Sequence, residues 1–215
     1  MAANLIVLFA KAPIPGRVKT RLTPAISQEL AAELHSAFVQ DMVFRFRSLE
    51  DTDFELHTDT RIDAWINLSV TRKLQILGDL GLRMIHALTD GLARGYRCVL
   101  ILGSDAPTLP VAHVLSLLNS TTDVALGPAE DGGFYAIMAR RVHPSMFERV
   151  VWSQPDTMAR SLEAIHSCGL TASMGPAWHD VDETSDLWRL LEEPDLPPKT
   201  AACLSRAKES LQGID

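Results

Sequence analysis

Cysteine is scarce in this chain: Cys98, Cys168 and Cys203 lie far apart, with no CxxC pair. That argues against a disulfide framework and a zinc knuckle, and fits a reducing cytoplasm. No stretch approaches the roughly 20 consecutive apolar residues of a membrane helix, so no membrane insertion is expected. No signal-peptide pattern is seen either. Met1 to Asn4 carries no cation, and the apolar run behind it is too short for a signal core. These absences predict a cytoplasmic protein. Positive charge is in the minority, 20 Lys and Arg against 27 Asp and Glu, for a formal net charge of −7. So acidic a chain is a poor partner for nucleic acid or an anionic membrane. Neither GxxxxGK(S/T) nor GxGxxG occurs, which removes the P-loop and the dinucleotide fingerprint. Internal repeats and low-complexity segments are lacking too.

What remains is a chain of 215 residues, 47% hydrophobic and 22% charged, long enough for one domain over residues 1–215 with a real core. Residues 4–9 read as a short buried strand ended by turn chemistry. Residues 27–49 read as a long helix with Ser27 as its N-cap. Strands are expected at 54–58 and 73–77, and a helix within 78–95 closed by Gly95. Residues 96–102, YRCVLIL, form the clearest central strand, and 110–119 a helix with Pro in its first turn. Further strands are expected at 123–127, 134–139 and 170–174. Further helices are expected at 157–168, 185–191 and from about 199 to 211. Alternating strands and helices predict an α/β fold with a mainly parallel sheet covered on both faces. In such sheets ligands sit beyond the carboxyl ends of the strands.

The unusual polar residues fall at those ends. After the first strand, Lys11, Arg17, Lys19 and Arg21 crowd into eleven residues shaped by Pro13, Pro15 and Gly16. On an acidic background this is a local device for a small anion. Arginines suit bidentate contacts to phosphate and lysines act as point charges. The bland alternative is a solvated basic loop. Asp105, in LGSDAP after the central strand, suits a hard divalent cation or simply caps a turn. In HDVDETSDL, Asp180 and Asp182 alternate as in an extended segment and share a face. Either could complete a metal site with Asp105, His179 being a weaker candidate, or the acids could merely favour a helix N-terminus. If two carboxylates do converge, one pKa should rise. Asp131, Gly132 and Gly133 in EDGGFY could meet an acceptor hydroxyl or form a hairpin turn. Arg83, in GDLGLRM, could reach a phosphate or base, or sit exposed at a helix entry.

The pieces FAKAPIPGRVKTRL, GDLGLRM, GSDAPTLP, LGPAEDGGFYAI, VVWSQPDT and HDVDETSDL occur in this order over residues 9–187. Together they resemble the GT-A fold of nucleotide-diphospho-sugar transferases and nucleotidylyltransferases. The narrower resemblance is to small bacterial glycosyltransferases met beside radical-SAM enzymes and linked with arsenosugar biosynthesis. KTRL is also similar to the KSRL loop of phospholactate guanylyltransferases, and DVDETSDL to the DTPEDL segment of sugar-activating cytidylyltransferases. The resemblance implies a three-layer α/β/α domain and transfer from a nucleotide sugar to a small-molecule acceptor, with Mg2+ or Mn2+ as cofactor. Nucleotidyl transfer from an NTP to a phosphorylated acceptor, or nucleotide binding without turnover, stands as the alternative. By position, the nucleotide would meet Ala10, Lys11, Arg17, Lys19, Arg21, Asp79, Arg83 and Ser104. Asp105 and Asp182 would hold the metal, Asp131, Gly132 and Gly133 would line the acceptor side, and Asp105, Asp131 and Lys19 would carry catalysis. The sequence departs from the pattern in three places: the Asp-x-Asp of many glycosyltransferases is here Ser104 before a single Asp105, with Ala106 and Pro107 following, Leu82 stands where Glu is expected, and the glycine-rich N-terminal loop of most nucleotidylyltransferases is missing.

Overall fold

The computed structural model describes residues 2–211. Seven strands form one mixed sheet: β1 (Asn4–Ala10), β2 (Thr52–Thr58), β3 (Thr71–Leu74), β4 (Cys98–Gly103), β5 (Val124–Pro128), β6 (Phe134–Ala139) and β7 (Ala172–Met174). Their order across the sheet is β3-β2-β1-β4-β6-β5-β7. Every neighbouring pair is parallel except those made by β6, which runs against both β4 and β5. Six helices accompany it: α1 (Gln28–Phe46), α2 (Leu80–Ala93), α3 (Val111–Leu118), α4 (Thr157–Ser167), α5 (Thr184–Glu192) and α6 (Pro198–Leu211).

The two faces of the sheet can be read from strand alternation. Ile6, Leu8 and Ala10 of β1, with Cys98, Leu100 and Leu102 of β4, join Val39, Met42 and Phe46 of α1 and Val114 and Leu117 of α3. Leu5 and Val7, with Val99 and Ile101, join Met84 and Leu88 of α2 and Ile165 of α4. Central strands covered on both faces must be apolar throughout, which is why β1 and β4 have no polar side in their middle. A third cluster sits beyond the sheet, where Leu22, Leu34, Phe38, Val181, Leu187 and Leu204 pack together. It binds the basic loop, α1, α5 and α6 into one body.

Two local devices fix the helices that matter for the site. Ser27 Oγ accepts from Leu30 N at 3.1 Å, so α1 starts at the expected cap. The carboxylate of Asp41, buried on α1, accepts from Lys199 N, Thr200 N and Thr200 Oγ1 at 3.1, 2.7 and 2.8 Å. It therefore satisfies the orphan N–H groups at the start of α6 from another helix. One boundary differs clearly from expectation: β3 covers 71–74 instead of 73–77. It is a short edge strand, half-exposed or exposed along its length, so apolar Ile76 and Leu77 do not mark it. No helix among the described residues is long and apolar enough to cross a membrane.

Candidate active site at the carboxyl edge of the sheet

The basic loop leaves β1 at Ala10 and is pinned at two points. Ala12 N donates to Asp59 Oδ1 at 2.7 Å, just past the end of β2. The buried ring of His35 on α1 donates Nε2–H to the Lys11 carbonyl at 2.9 Å. Burial pushes the His35 pKa down, so its ring stays neutral and the bond carries one fixed tautomer. Neither Asp59 nor His35 is marked by any motif in the sequence. The loop is thus held open, with Lys11 and Arg17 exposed on it. Arg21 lies 3.5 Å from Glu183 Oε1, an exposed pair of little energetic weight.

Lys19 behaves differently from the other cations. Its backbone is left-handed, with φ 48° and ψ 38°, ahead of a single 3₁₀ turn at Thr20–Leu22. This turns its side chain inward, where only 3% of it is exposed. The ammonium contacts the Asp105 carboxylate, reaches Asp182 Oδ1 at 2.9 Å and donates to the Val181 carbonyl at 2.6 Å. The Phe38 ring lies beneath it, 5.7 Å from Nζ. Three acceptors use all three of its N–H donors. Burial alone would lower the Lys19 pKa, but the two carboxylates outweigh it and hold the pKa above the ordinary value.

Asp105 and Asp182 therefore meet, although 77 positions separate them in the sequence. A backbone bond from Val181 N to Asp105 O, 2.8 Å, ties their two segments together. Val181 is fully buried, as the alternation in HDVDE implies, leaving Asp180 and Asp182 directed away from that core. Repulsion is not what the pair shows. Burial would raise the Asp105 pKa, yet Lys19 beside it brings it below the ordinary value. The carboxyl pushed up is that of Asp180, to about 6, by burial first and then by Asp182 and Asp131.

Asp180 and Asp182 line a cavity of about 260 Å³ together with Glu130, Asp131, His179 and Arg21. Glu130 is held by a bidentate pair with Arg189, at 2.6 and 3.2 Å. Glu183 and Asp186 are spent on a capping box at the start of α5, with Asp186 accepting from Asp182 N and Glu183 N. His179 stacks on Trp178, and its Nε2 lies 3.7 Å from Glu193 Oε1, beyond hydrogen-bond range. EDGG is a hairpin turn between β5 and β6, as one reading of it had it. Asp131 Oδ1 accepts from Gly133 N at 2.8 Å within that turn. Gly132 has φ +87°, and a Cβ there would stand 1.9 Å from the Pro155 carbonyl oxygen. Its close approach is to this chain's own backbone.

The remaining candidates sit around the same edge. Ser104 is buried at the end of β4. Asp79 is the N-cap of α2, accepting from Leu82 N at 2.8 Å, and Arg83 donates to the Gly78 carbonyl at 2.9 Å. Both therefore shape the loop after β3. For a divalent ion the chemistry of the donors fits: Asp105 and Asp182 offer hard oxygens, and each side chain is 43% exposed. Among the described residues no group of three or more His, Cys, Asp or Glu is set to hold a metal. A two-carboxylate site completed by water and substrate phosphate is the usual habit of Mg2+.

The strand order with β6 reversed, and acids gathered beyond β4 and before α5, define a GT-A-like α/β fold. The chain belongs to the family described as "Uncharacterized protein conserved in bacteria (DUF2064)", matched over residues 22–154. It is similar over 100% of its length, at 31% identity and a TM-score of 0.88, to a Desulfovibrio desulfuricans G20 protein provisionally named a nucleotide-diphospho-sugar transferase, of which 99% is covered. CMP:2-keto-3-deoxy-manno-octonic acid synthetase, solved with CTP, shares the fold at 14% identity and TM-score 0.53, over 96% of this chain and 99% of that one. The inositol-1-phosphate CTP transferase of T. maritima does so at 13% and 0.51, over 96% of each chain. No curated protein matches the chain.

Proposed function

We propose that this protein is a transferase that uses a nucleotide-diphosphate donor, moving a glycosyl group from a nucleotide sugar to a small-molecule acceptor. The observation that carries this reading is the convergence of three groups at one sheet edge. These are an exposed basic loop, the Asp105–Asp182 pair, and an adjoining cavity that Asp182 and Arg21 share with Asp131 and Asp180. Lys11, Arg17 and Arg21 are the residues to meet the donor diphosphate, with Ala10, Asp79, Arg83 and Ser104 framing the nucleotide. Asp105 and Asp182 would hold Mg2+ or Mn2+, which supplies charge stabilisation to the departing nucleoside diphosphate. An acceptor hydroxyl attacks the anomeric carbon, the bond to the diphosphate oxygen breaks, and the electron pair leaves with the nucleotide. Asp131, on a turn fixed by its own Asx bond and by the packing of Gly132, would take the acceptor's proton. Growing negative charge on the leaving group is met by cations already in position, the arrangement that lowers a barrier most.

Nucleotidyl transfer is the second reading, favoured by the fold shared with CTP-using proteins. The carboxylate-rich lining of the cavity speaks against its phosphorylated acceptor. The narrower resemblance, to glycosyltransferases linked with arsenosugar biosynthesis, makes neutral sugar-like acceptors the first to assay. A thermal-shift screen of nucleotides and nucleotide sugars, with and without Mn2+, tests the reading. A nucleotide sugar should stabilise the protein, by roughly 2.7 kcal/mol at 100 times its Kd. Hydrolysis or transfer should then release a nucleoside diphosphate. Release of pyrophosphate from an NTP would reverse the ranking.

A further inference from the structure

Lys19 stands where two negative segments need a cation. The other cations of the loop are exposed, but its side chain is buried, turned inward by a left-handed backbone and saturated by three oxygen acceptors. We propose that Lys19 is the resident cation of the Asp105–Asp182 pair, and that a divalent ion binds only by displacing its ammonium. This rests on the metal-dependent reading above and adds a second role to a residue of the phosphate-binding loop. An ammonium has much the same demand as a hard metal ion, for several oxygens around one point charge. With Lys19 in place, half the charge of the pair is offset and the two loops that carry it are locked through Val181. A second cation arriving at the same oxygens would face the ammonium as a like charge.

The left-handed conformation makes this arrangement reversible. For a residue other than glycine it is unfavourable, and here the three contacts of the side chain's far end offset that cost. Once the carboxylates are taken by another cation, nothing holds Lys19 in. Its four-carbon stem then frees the ammonium for the mouth of the basic loop, where the donor phosphates are expected. Lys19 would thus serve the carboxylates first and the donor afterwards, and metal would have to precede or accompany donor for full affinity.

Mn2+ binding to the whole protein, followed through the signal of free Mn2+ in electron paramagnetic resonance, tests the exchange. Lys19→Met keeps the bulk and removes the charge, and it should bind Mn2+ at least tenfold more tightly than wild type. Lys19→Arg should remain close to wild type. In wild type, acylation of Lys19 read by peptide mass spectrometry should be negligible without metal and rise severalfold at saturating Mg2+. It should fall again when UDP and Mg2+ are present together. Mn2+ affinity that is equal or weaker in Lys19→Met, or acylation of Lys19 indifferent to Mg2+, would overturn the exchange while leaving the transferase reading intact. Absence of Mn2+ binding from wild type and Lys19→Met alike would overturn the exchange and the metal-dependent reading together. The acylation measurement decides the matter on wild type alone should Lys19→Met fail to fold.

Discussion

At the scale of single residues, the four cations of one short loop divide into two kinds. Arg17→Ala and Arg21→Ala remove exposed charges that touch nothing in the core. Each should weaken nucleotide-diphosphate binding by about 1.5–3 kcal/mol, read by calorimetry, with an unchanged melting temperature. Asp105→Asn should behave otherwise. It takes one of two carboxylates from a buried ammonium, so it should cost about 1–3 kcal/mol of stability in denaturant melts as well as turnover. The sequence alone suggests two repelling carboxylates, one of which the fold could lose without damage, because nothing in KTRL shows which cation faces inward. That direction follows from the left-handed backbone at Lys19 and from Phe38 and Val181, which arrive from elsewhere in the chain. Asp105 was legible from the apolar strand before it, and the alternation around Val181 marked Asp180 and Asp182 alike, the choice of Asp182 between them coming from the family resemblance alone.

Elements were legible where burial imposes a period. The two-sided strands β1 and β4 and the long α1 are marked by their apolar residues, and their observed bounds fall close to the expected ones. The edge strand β3 was placed a few residues late, since exposure leaves no such mark. Contacts between elements had no local signal at all, Asp41 at the head of α6 being the clearest case. Asp41→Ala leaves buried N–H groups at that helix start unpaired and should cost about 2 kcal/mol in chemical denaturation, with loss of far-UV helical signal from α6 preceding the main transition. Gly132→Ala acts on the β5–β6 turn. The new Cβ would meet the Pro155 backbone, and the positive φ disfavours any side chain. A loss of about 2–3 kcal/mol is expected, together with a displaced Asp131 and a raised KM for acceptor.

For the whole molecule, acid sensitivity should come in good part from a buried cluster on β2, besides the depressed Asp105 at the site. Glu55 on β2 is buried among His57, Arg94 and Lys73, with contacts of 2.9, 2.7 and 3.3 Å. Burial alone would raise its pKa, but the hydrogen bonds from His57 and Arg94 and the charges of Arg94 and Lys73 outweigh it and bring it down to about 2. A depressed carboxyl contributes stability above its unfolded pKa and loses it as pH falls toward the folded value. Between about pH 4.5 and pH 2 the protein should therefore lose on the order of 2 kcal/mol through this group, allowing for screening of its half-exposed partners. Denaturation midpoints across that range should fall more steeply for wild type than for Glu55→Gln. A flat wild-type profile would show that the cluster is not what acid attacks. One face of α1 has a further consequence. His35, Phe38 and Asp41 lie three apart along it, so one helical stripe grips the basic loop, underlies the ammonium and caps the last helix. A wedge driven between α1 and α6 would rotate that stripe as a unit. The carboxyl edge of the sheet would register the damage as weaker nucleotide binding, with every residue proposed to meet the nucleotide still in the chain.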